Sequence, residues 1–476
     1  MTNFPGVDVP VDGANGQNGL YWFTTSMDPV NFNRSYARTG HWDGLDRENY
    51  QLLPATKVNK IVFDGDRAVG VQIHPRDHRD NTQVVKARKE VILAAGAIHT
   101  PQVLQLSGIG PRKLLKAADI EVKVDLPGVG ANFQDHHYIP GVRFSCKCCP
   151  VRFLTLHRSC LLLMILEGGN APEVPELNLS SNRTGNNRTG NGIALGAFLG
   201  LKAFSPDLFE DIATRYESQD AAEFLPKGTD CTIVAGYKQQ KNIYARAMRD
   251  NTISFLECML GGSPSCSPQN VHPVSRGTVT LNTTDPESEV IVDYRAASNP
   301  IDIDIMVEAI KFFRRFITTG DLAEYEALEE VPGAEYQTDE ELAEWARETI
   351  IPSVYHPVGT AAKMPRKWGG VVDEDLLVYG VEGLSVVDAS IMPTLVGSTT
   401  SMTVYAIAEK VSVTRGTSLL VCLGCSMLTD SVGRGSDQVS RLMSRLARED
   451  LNFSSCICGS FVRIKLCSEA HSVYKA

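Results

Sequence analysis

The sequence predicts a mixed α/β protein, α+β in its details. Two intimately packed domains are expected, with strands, a hairpin and capped helices among their elements. Three observations carry this. First, 476 residues with 43% hydrophobic and 21% charged content suffice for two intimately packed domains. Second, two β-branched runs, 57–63 and 67–73, flank Asp64-Gly65-Asp66, a strong hairpin signal. Third, two short buried runs, 91–96 and 384–388, are each followed by a helical pattern behind small and hydroxylated residues.

In chain order, residues 1 to 50 show sparse periodicity and many Gly, Asn and Asp, with Arg34-Ser35-Tyr36-Ala37 followed by a polar segment to Asn49. The hairpin follows, then a strand of alternating character at 84–89. The run Val91 to Gly96 reads as a buried strand ending at small residues. Thr100 is then expected as N-cap and Pro101 as the first helical residue, with Gly108 ending the helix. Gly110-Pro111 starts a second helix running to about Ala118. The tandem five-residue repeat Asn182-Arg-Thr-Gly-Asn186, Asn187-Arg-Thr-Gly-Asn191 reads as loop. Asp302 to Ile317 is an amphipathic helix with Met306, Ala309, Ile310, Phe313 and Ile317 on one face and Gly320 as its stop. Thr338 and Glu341 form a capping box for another. Leu384 to Asp388 is a buried strand, 393–401 a loop of small residues, and Met402 to Lys410 a helix.

The net charge of −10 argues against a nucleic-acid partner, which needs a basic surface. No window reaches transmembrane length; the greasiest, Cys160 to Leu166, is far too short. The opening residues lack a charged-then-apolar leader, which leaves the location open between cytoplasmic and, if the natural start lies upstream, secreted. The cysteines cluster at Cys146, Cys148, Cys149 and Cys160 and at Cys422, Cys425, Cys456, Cys458 and Cys467. No partners recur at zinc-ligand spacing, so no metal site is expected.

The chemistry is expected around His356, in Tyr355-His356-Pro357-Val358-Gly359-Thr360. Pro357 disfavours a helical backbone at His356, and Gly359 lets the chain approach something flat. An imidazole titrating near neutrality can take a proton from a hydroxyl and return it. A lone histidine is more often a packing residue. The second stretch shifts that balance, because a helix N-terminus rich in Ser and Thr suits a group that becomes anionic.

These two stretches resemble the catalytic end of the glucose–methanol–choline (GMC) oxidoreductases, which are FAD-dependent. The resemblance runs through Met364-Pro365, 369–373, Val378-Tyr379-Gly380, Asp388-Ala389 and Glu409-Lys410. It recurs earlier in Gly96-Ala97-Ile98-His99-Thr100-Pro101 to Gly110 and in 126–136. It implies a Rossmann-like FAD-binding domain and a substrate domain with an antiparallel sheet. On this reading 1–140 is part of the FAD-binding domain and 141–350 the substrate domain, irregular over 146–200. Residues 351–412 return to the FAD-binding domain with the histidine, and 413–476 form an atypical tail. The resemblance implies His356 as the base that removes the proton of a small alcohol while hydride leaves carbon. It places Tyr355, Asp388, Ala389, Thr400, Ser401 and Met402 at the flavin and the Val58 backbone at the adenine end. His136, in the Asp135-His136 pair, is implied to be structural.

Two departures from the family pattern follow. Where the family has a second histidine or an asparagine, this chain has Thr399, which can orient a hydroxyl but cannot act as a base near neutral pH. And no Gly-x-Gly-x-x-Gly turn after a strand precedes the matched region; the Gly13 to Gly19 run follows none. The chain is therefore expected to be N-terminally incomplete relative to the family. The 146–166 stretch and the tail after 412 are read as read-through or frameshifted sequence, with a genuine variable tail as the alternative. The other functional readings left open are a flavin-retaining lyase or cyclase and an inactive remnant.

Overall fold

The structure is a computed structural model, which describes residues 7–10, 16–22, 26, 28, 33–146, 195–260 and 265–414. The repeat at 182–191, the tail beyond Thr414 and the 147–166 stretch lie outside the described residues, and the first two tail residues continue the last helix.

The chain begins with β1 (Gly19–Trp22) and α1 (Ala37–His41), followed by the three-stranded antiparallel sheet β2 (Thr56–Asp64), β3 (Arg67–Pro75) and β4 (Gln83–Lys86). Asp64 pairs with Arg67 across the predicted turn, and Gly65 has φ +53°. Next come β5 (Val91–Leu93), α2 (Gly96–Leu106), β6 (Ile109–Gly110), α3 (Arg112–Ala117), β7 (Val124–Asp125), β8 (His137–Tyr138) and β9 (Val142–Cys146). The middle of the chain supplies β10 (Leu195–Gly200), α4 (Leu201–Phe204), α5 (Phe209–Ser218), α6 (Cys231–Ala247), β11 (Ser254–Leu260) and β12 (Ser265–Asn270). The last part runs through β13 (Thr278–Thr280), β14 (Ile291–Asp293), α7 (Pro300–Thr318), β15 (Ala327–Val331), α8 (Asp339–Thr349), β16 (Leu384–Val386) and α9 (Ser401–Thr414).

Among the described residues two large hydrophobic cores organise these elements, with a small third cluster of Val358, Met392 and Leu395. One lies around a seven-stranded antiparallel sheet in the order β1-β10-β11-β12-β9-β15, with β8 also on β12. Helix α7 supplies Ile303, Met306, Ile310 and Phe313 to it. Asn299 caps α7, accepting from the N–H of Ile301, and Pro300 follows at the first helical position. Asp302 in the first turn is fully buried and satisfied: it accepts from Asn270 Nδ2, the N–H groups of Val274 and Ser275, and Ser275 Oγ. The segment 19–22 adds an edge strand to this sheet although it is remote from it in sequence. The Thr338/Glu341 capping box forms as the sequence predicts.

The second core surrounds the parallel pair β5–β16, with Leu104, Ile109, Val371, Leu384 and Val386 buried. Here one expectation needs correction. Helix α2 begins at Gly96, not after Thr100, and Pro101 lies inside it. The cap comes from a distant residue: Asp388 Oδ2 accepts the Gly96 N–H (2.9 Å) and the Thr100 Oγ1–H (2.5 Å). A carboxylate at the N-terminus adds a turn that no local capping signal announces. Pro101 also lacks the N–H that would bond Ala97 four residues back; instead Thr360 Oγ1 donates to the Ala97 carbonyl at 2.6 Å. Gly108, with φ +80°, ends α2 as predicted.

A buried disulfide, Cys258–Cys266, joins β11 to β12. The sequence reading singled out neither cysteine. Among the described residues no group of His, Cys, Asp or Glu could hold a metal ion, and no helix is long and apolar enough to cross a membrane.

Candidate active site

Three segments far apart in sequence converge: 132–136 before β8, 353–360 after α8, and 388–400 between β16 and α9. Asn132 joins all of them. Its Nδ2 donates to the carbonyls of Gly359 (3.3 Å) and Pro393 (3.1 Å), and its Oδ1 accepts from Gln240 Nε2 and Arg276 Nε. Gln134 repeats the pattern: Nε2 donates to the Pro393 carbonyl, and Oε1 accepts the Leu395 N–H. Arg276 is buried and spends its donors on Gln240, Asn132 and the carbonyls of Pro273 and Ser275, with the faces of Tyr237 and Tyr244 5.4 and 5.5 Å away. On the side where a Cβ would stand, Gly359 packs against the Asn132 backbone. Its φ is +94°, and a Cβ there would meet the Asn132 carbonyl oxygen at 2.3 Å.

On this frame His356 is half-buried. Its backbone N–H donates to Asp135 Oδ1 at 3.1 Å, and Ser353 Oγ donates to Asp135 Oδ2 at 2.6 Å, so one carboxylate holds the loop that carries the imidazole. Burial raises the Asp135 carboxyl to about 6, partly offset by those hydrogen bonds. Desolvation lowers His356, which favours the neutral ring a base requires. His356 Nδ1 lies 3.0 Å from Nδ1 of His136, the rings standing at 88°. His136 is fully buried, and its Nε2 lies 3.0 Å from the Val396 carbonyl oxygen. The residue implied to be purely structural thus touches the candidate base. Its signal in the sequence was the Asn132-Phe133-Gln134-Asp135-His136 run, three of whose side chains also position the other two segments.

The remaining predicted residues divide. Thr399 follows the same loop, three positions beyond Val396, and no hydrogen bond links its hydroxyl to His356. Asp388 is buried, and its carboxylate is wholly engaged within the protein: Gly96 N–H and Thr100 on one oxygen, Ser390 N–H and Oγ on the other. Ala389 adjoins the motif through its carbonyl, which accepts the Gly359 N–H at 3.4 Å. Thr400 is buried, whereas Ser401 and Met402 in the first turn of α9 are exposed, as is Tyr355, whose φ is +67°. Val58 lies on β2, outside these three segments. A cavity of about 640 Å³ is lined by Asn132, Gln240 and Arg276 but by neither His356 nor Thr399.

Comparison with known proteins places this arrangement. GMC oxidoreductase family models match residues 12–138 and 273–408, the two portions that contribute the converging segments. A solved fungal aryl-alcohol oxidase is 35% identical with a TM-score of 0.75, covering 86% of this chain and 68% of its own. The chain belongs to the GMC oxidoreductase family. An FAD-dependent oxidoreductase from Chaetomium thermophilum is similar at 32% identity and a TM-score of 0.76, covering 86% of this chain and 69% of its own. Dehydrogenase xptC of Emericella nidulans is 35% identical over 411 residues, 85% of this chain; the GMC chain described here spans 64% of that relative's length.

Proposed function

We propose that this GMC protein acts as an FAD-dependent oxidoreductase on the CH–OH group of a small alcohol, with His356 as the base. The observation that carries the proposal is the half-buried His356, its backbone held by Asp135 and its ring against His136, beside the loop that leads into α9. A flavin's ring fits the chemistry of this region. The first turn of a 14-residue helix is exposed at Ser401 and Met402, and a helix N-terminus favours an anionic partner. The Asp388 carboxylate is already spent on protein donors, so a cofactor would meet the backbone around Asp388 and Ala389. Tyr355, Thr400, Ser401 and Met402 would hold the ring side and Val58 the adenine side. FAD, when bound, supplies the two-electron redox chemistry.

The chain's own residues orient the alcohol and move its proton. His356 accepts the hydroxyl proton, and Thr399, unable to act as a base, orients the hydroxyl by donating or accepting a hydrogen bond. Neutral His356 is the active form, so activity falls as pH drops through its lowered pKa. The relatives named as an aryl-alcohol oxidase and as a dehydrogenase support an alcohol substrate of this kind.

The test is to add FAD to the purified chain, titrate it with aryl and aliphatic alcohols without oxygen, and follow flavin absorbance. Bleaching in the native chain, absent in His356→Ala, is the expected result. Flavin that binds yet stays oxidised with every alcohol refutes the redox reading and favours a lyase or cyclase. Bleaching retained in His356→Ala refutes the base.

A further inference from the structure

We infer that His136 is a positioning residue that fixes the tautomer of His356, placing the proton on His356 Nδ1 and leaving Nε2 as the basic atom. The inference rests on His356 being the base and adds which of its nitrogens does the work.

A backbone carbonyl oxygen can only accept, so the 3.0 Å contact between His136 Nε2 and Val396 O requires the hydrogen on His136 Nε2. A neutral imidazole has one N–H, so His136 Nδ1 carries a lone pair. The 3.0 Å contact to His356 Nδ1 is then a hydrogen bond only if His356 donates. His356, neutral, is left with its lone pair on Nε2, and no residue among those described bonds that atom. A solvated imidazole side chain prefers the proton on Nε2, the wrong arrangement for a base working through that nitrogen. His136 reverses the preference.

The device holds because each part is fixed. Val396 O is anchored on both sides: Ser254 Oγ donates to the Gly397 carbonyl at 2.8 Å, and the Leu395 N–H donates to Gln134 Oε1 at 3.1 Å. His136 stays neutral because burial, then His356 and His272, push it well below the usual histidine value. Of the groups around it, burial holds His272 at about 4 and lowers His137, so neither is cationic at neutral pH. Asp135 is occupied by the Ser353 hydroxyl and the His356 backbone, not by either ring.

The experiment is nitrogen NMR of the full chain labelled at histidine, with the His356 signals identified by their loss in His356→Gln. The native chain should show His356 protonated at Nδ1. His136→Leu should shift it toward the Nε2–H form, while His136→Asn, whose side-chain oxygen replaces the Nδ1 acceptor, should keep Nδ1–H. In alcohol turnover, His136→Leu should lower kcat roughly tenfold with KM held, the bias one hydrogen bond supplies, and the asparagine should recover most of it. Nε2–H at His356 in the native chain, or a tautomer indifferent to His136→Leu, overturns the inference. Because the spectrum needs no turnover, an Nδ1–H signal in a chain that oxidises no alcohol leaves the tautomer assignment standing and removes only the base.

Discussion

The Thr360–Ala97 bond makes a prediction that can be worked through. Thr360 is fully buried, and its hydroxyl donates to the Ala97 carbonyl, whose helical partner would be the amide of residue 101. Because that residue is proline, Thr360→Val deprives the carbonyl of the hydroxyl with no backbone donor to replace it. The shape is nearly unchanged, so the cost is that of a buried unsatisfied acceptor, about 1–3 kcal/mol. Pro101→Ala restores an N–H at the right register. In that background the same Thr360→Val change should cost at least about 1 kcal/mol less, since the carbonyl keeps a partner. Urea denaturation of the four chains, compared by midpoint at constant m, reads the difference. An equal Thr360→Val penalty in both backgrounds would refute the argument that the threonine substitutes for the missing helical donor.

Two further outcomes follow from the geometry. Gly359→Ala forces a side chain onto φ +94° with its Cβ 2.3 Å from the Asn132 carbonyl oxygen; it should cost about 3 kcal/mol or more, seen as a lower urea midpoint. Glu257 is buried with both carboxylate oxygens unpaired, and burial raises it from 4.5 to about 7. A carboxyl whose folded value is raised contributes stability below about 4.5 that is lost as pH climbs through 7. Glu257→Gln should therefore stabilise the chain at pH 8 by up to about 3 kcal/mol, at 1.36 kcal/mol per pH unit, and by little at pH 4. The new amide can also donate to the unpaired Gln269 Oε1 directly across the sheet. Equal stability of the two proteins at pH 8 would contradict it.

The sequence made the local devices legible. The turn at Gly65, the stop at Gly108, the capping box at Thr338 and the apolar face of α7 each depend on residues a few positions apart, and each forms. The start of α2 was not legible, because its cap comes from Asp388 and a local reading could only nominate Thr100. Helix α6 was missed for a related reason: its buried face includes Tyr237, Gln240, Lys241 and Tyr244, polar side chains that blur an apolar stripe. The site divides similarly. His356 stood out through its motif, whereas its contact with His136 depends on two chain segments meeting, and spacing along the sequence carries no trace of that. Thr399 was nominated by spacing against the family pattern, and no hydrogen bond joins its hydroxyl to His356.

The bonds that join Asp388 to Gly96 and Thr100 have a consequence for biosynthesis. They span 292 and 288 residues, and the pairing of β5 with β16 depends on the same late stretch. At roughly 5–20 residues per second of translation, about 15 to 60 seconds separate the emergence of α2 from that of its cap. Through that interval β5 presents an open parallel edge and α2 an uncapped end, while the hairpin β2–β3 is already complete. Among the described elements, β5 and α2 are thus the ones left open to mispairing until that late stretch emerges, and His136, the ring against the candidate base, meets the loop that carries Val396 only after β16 has been made.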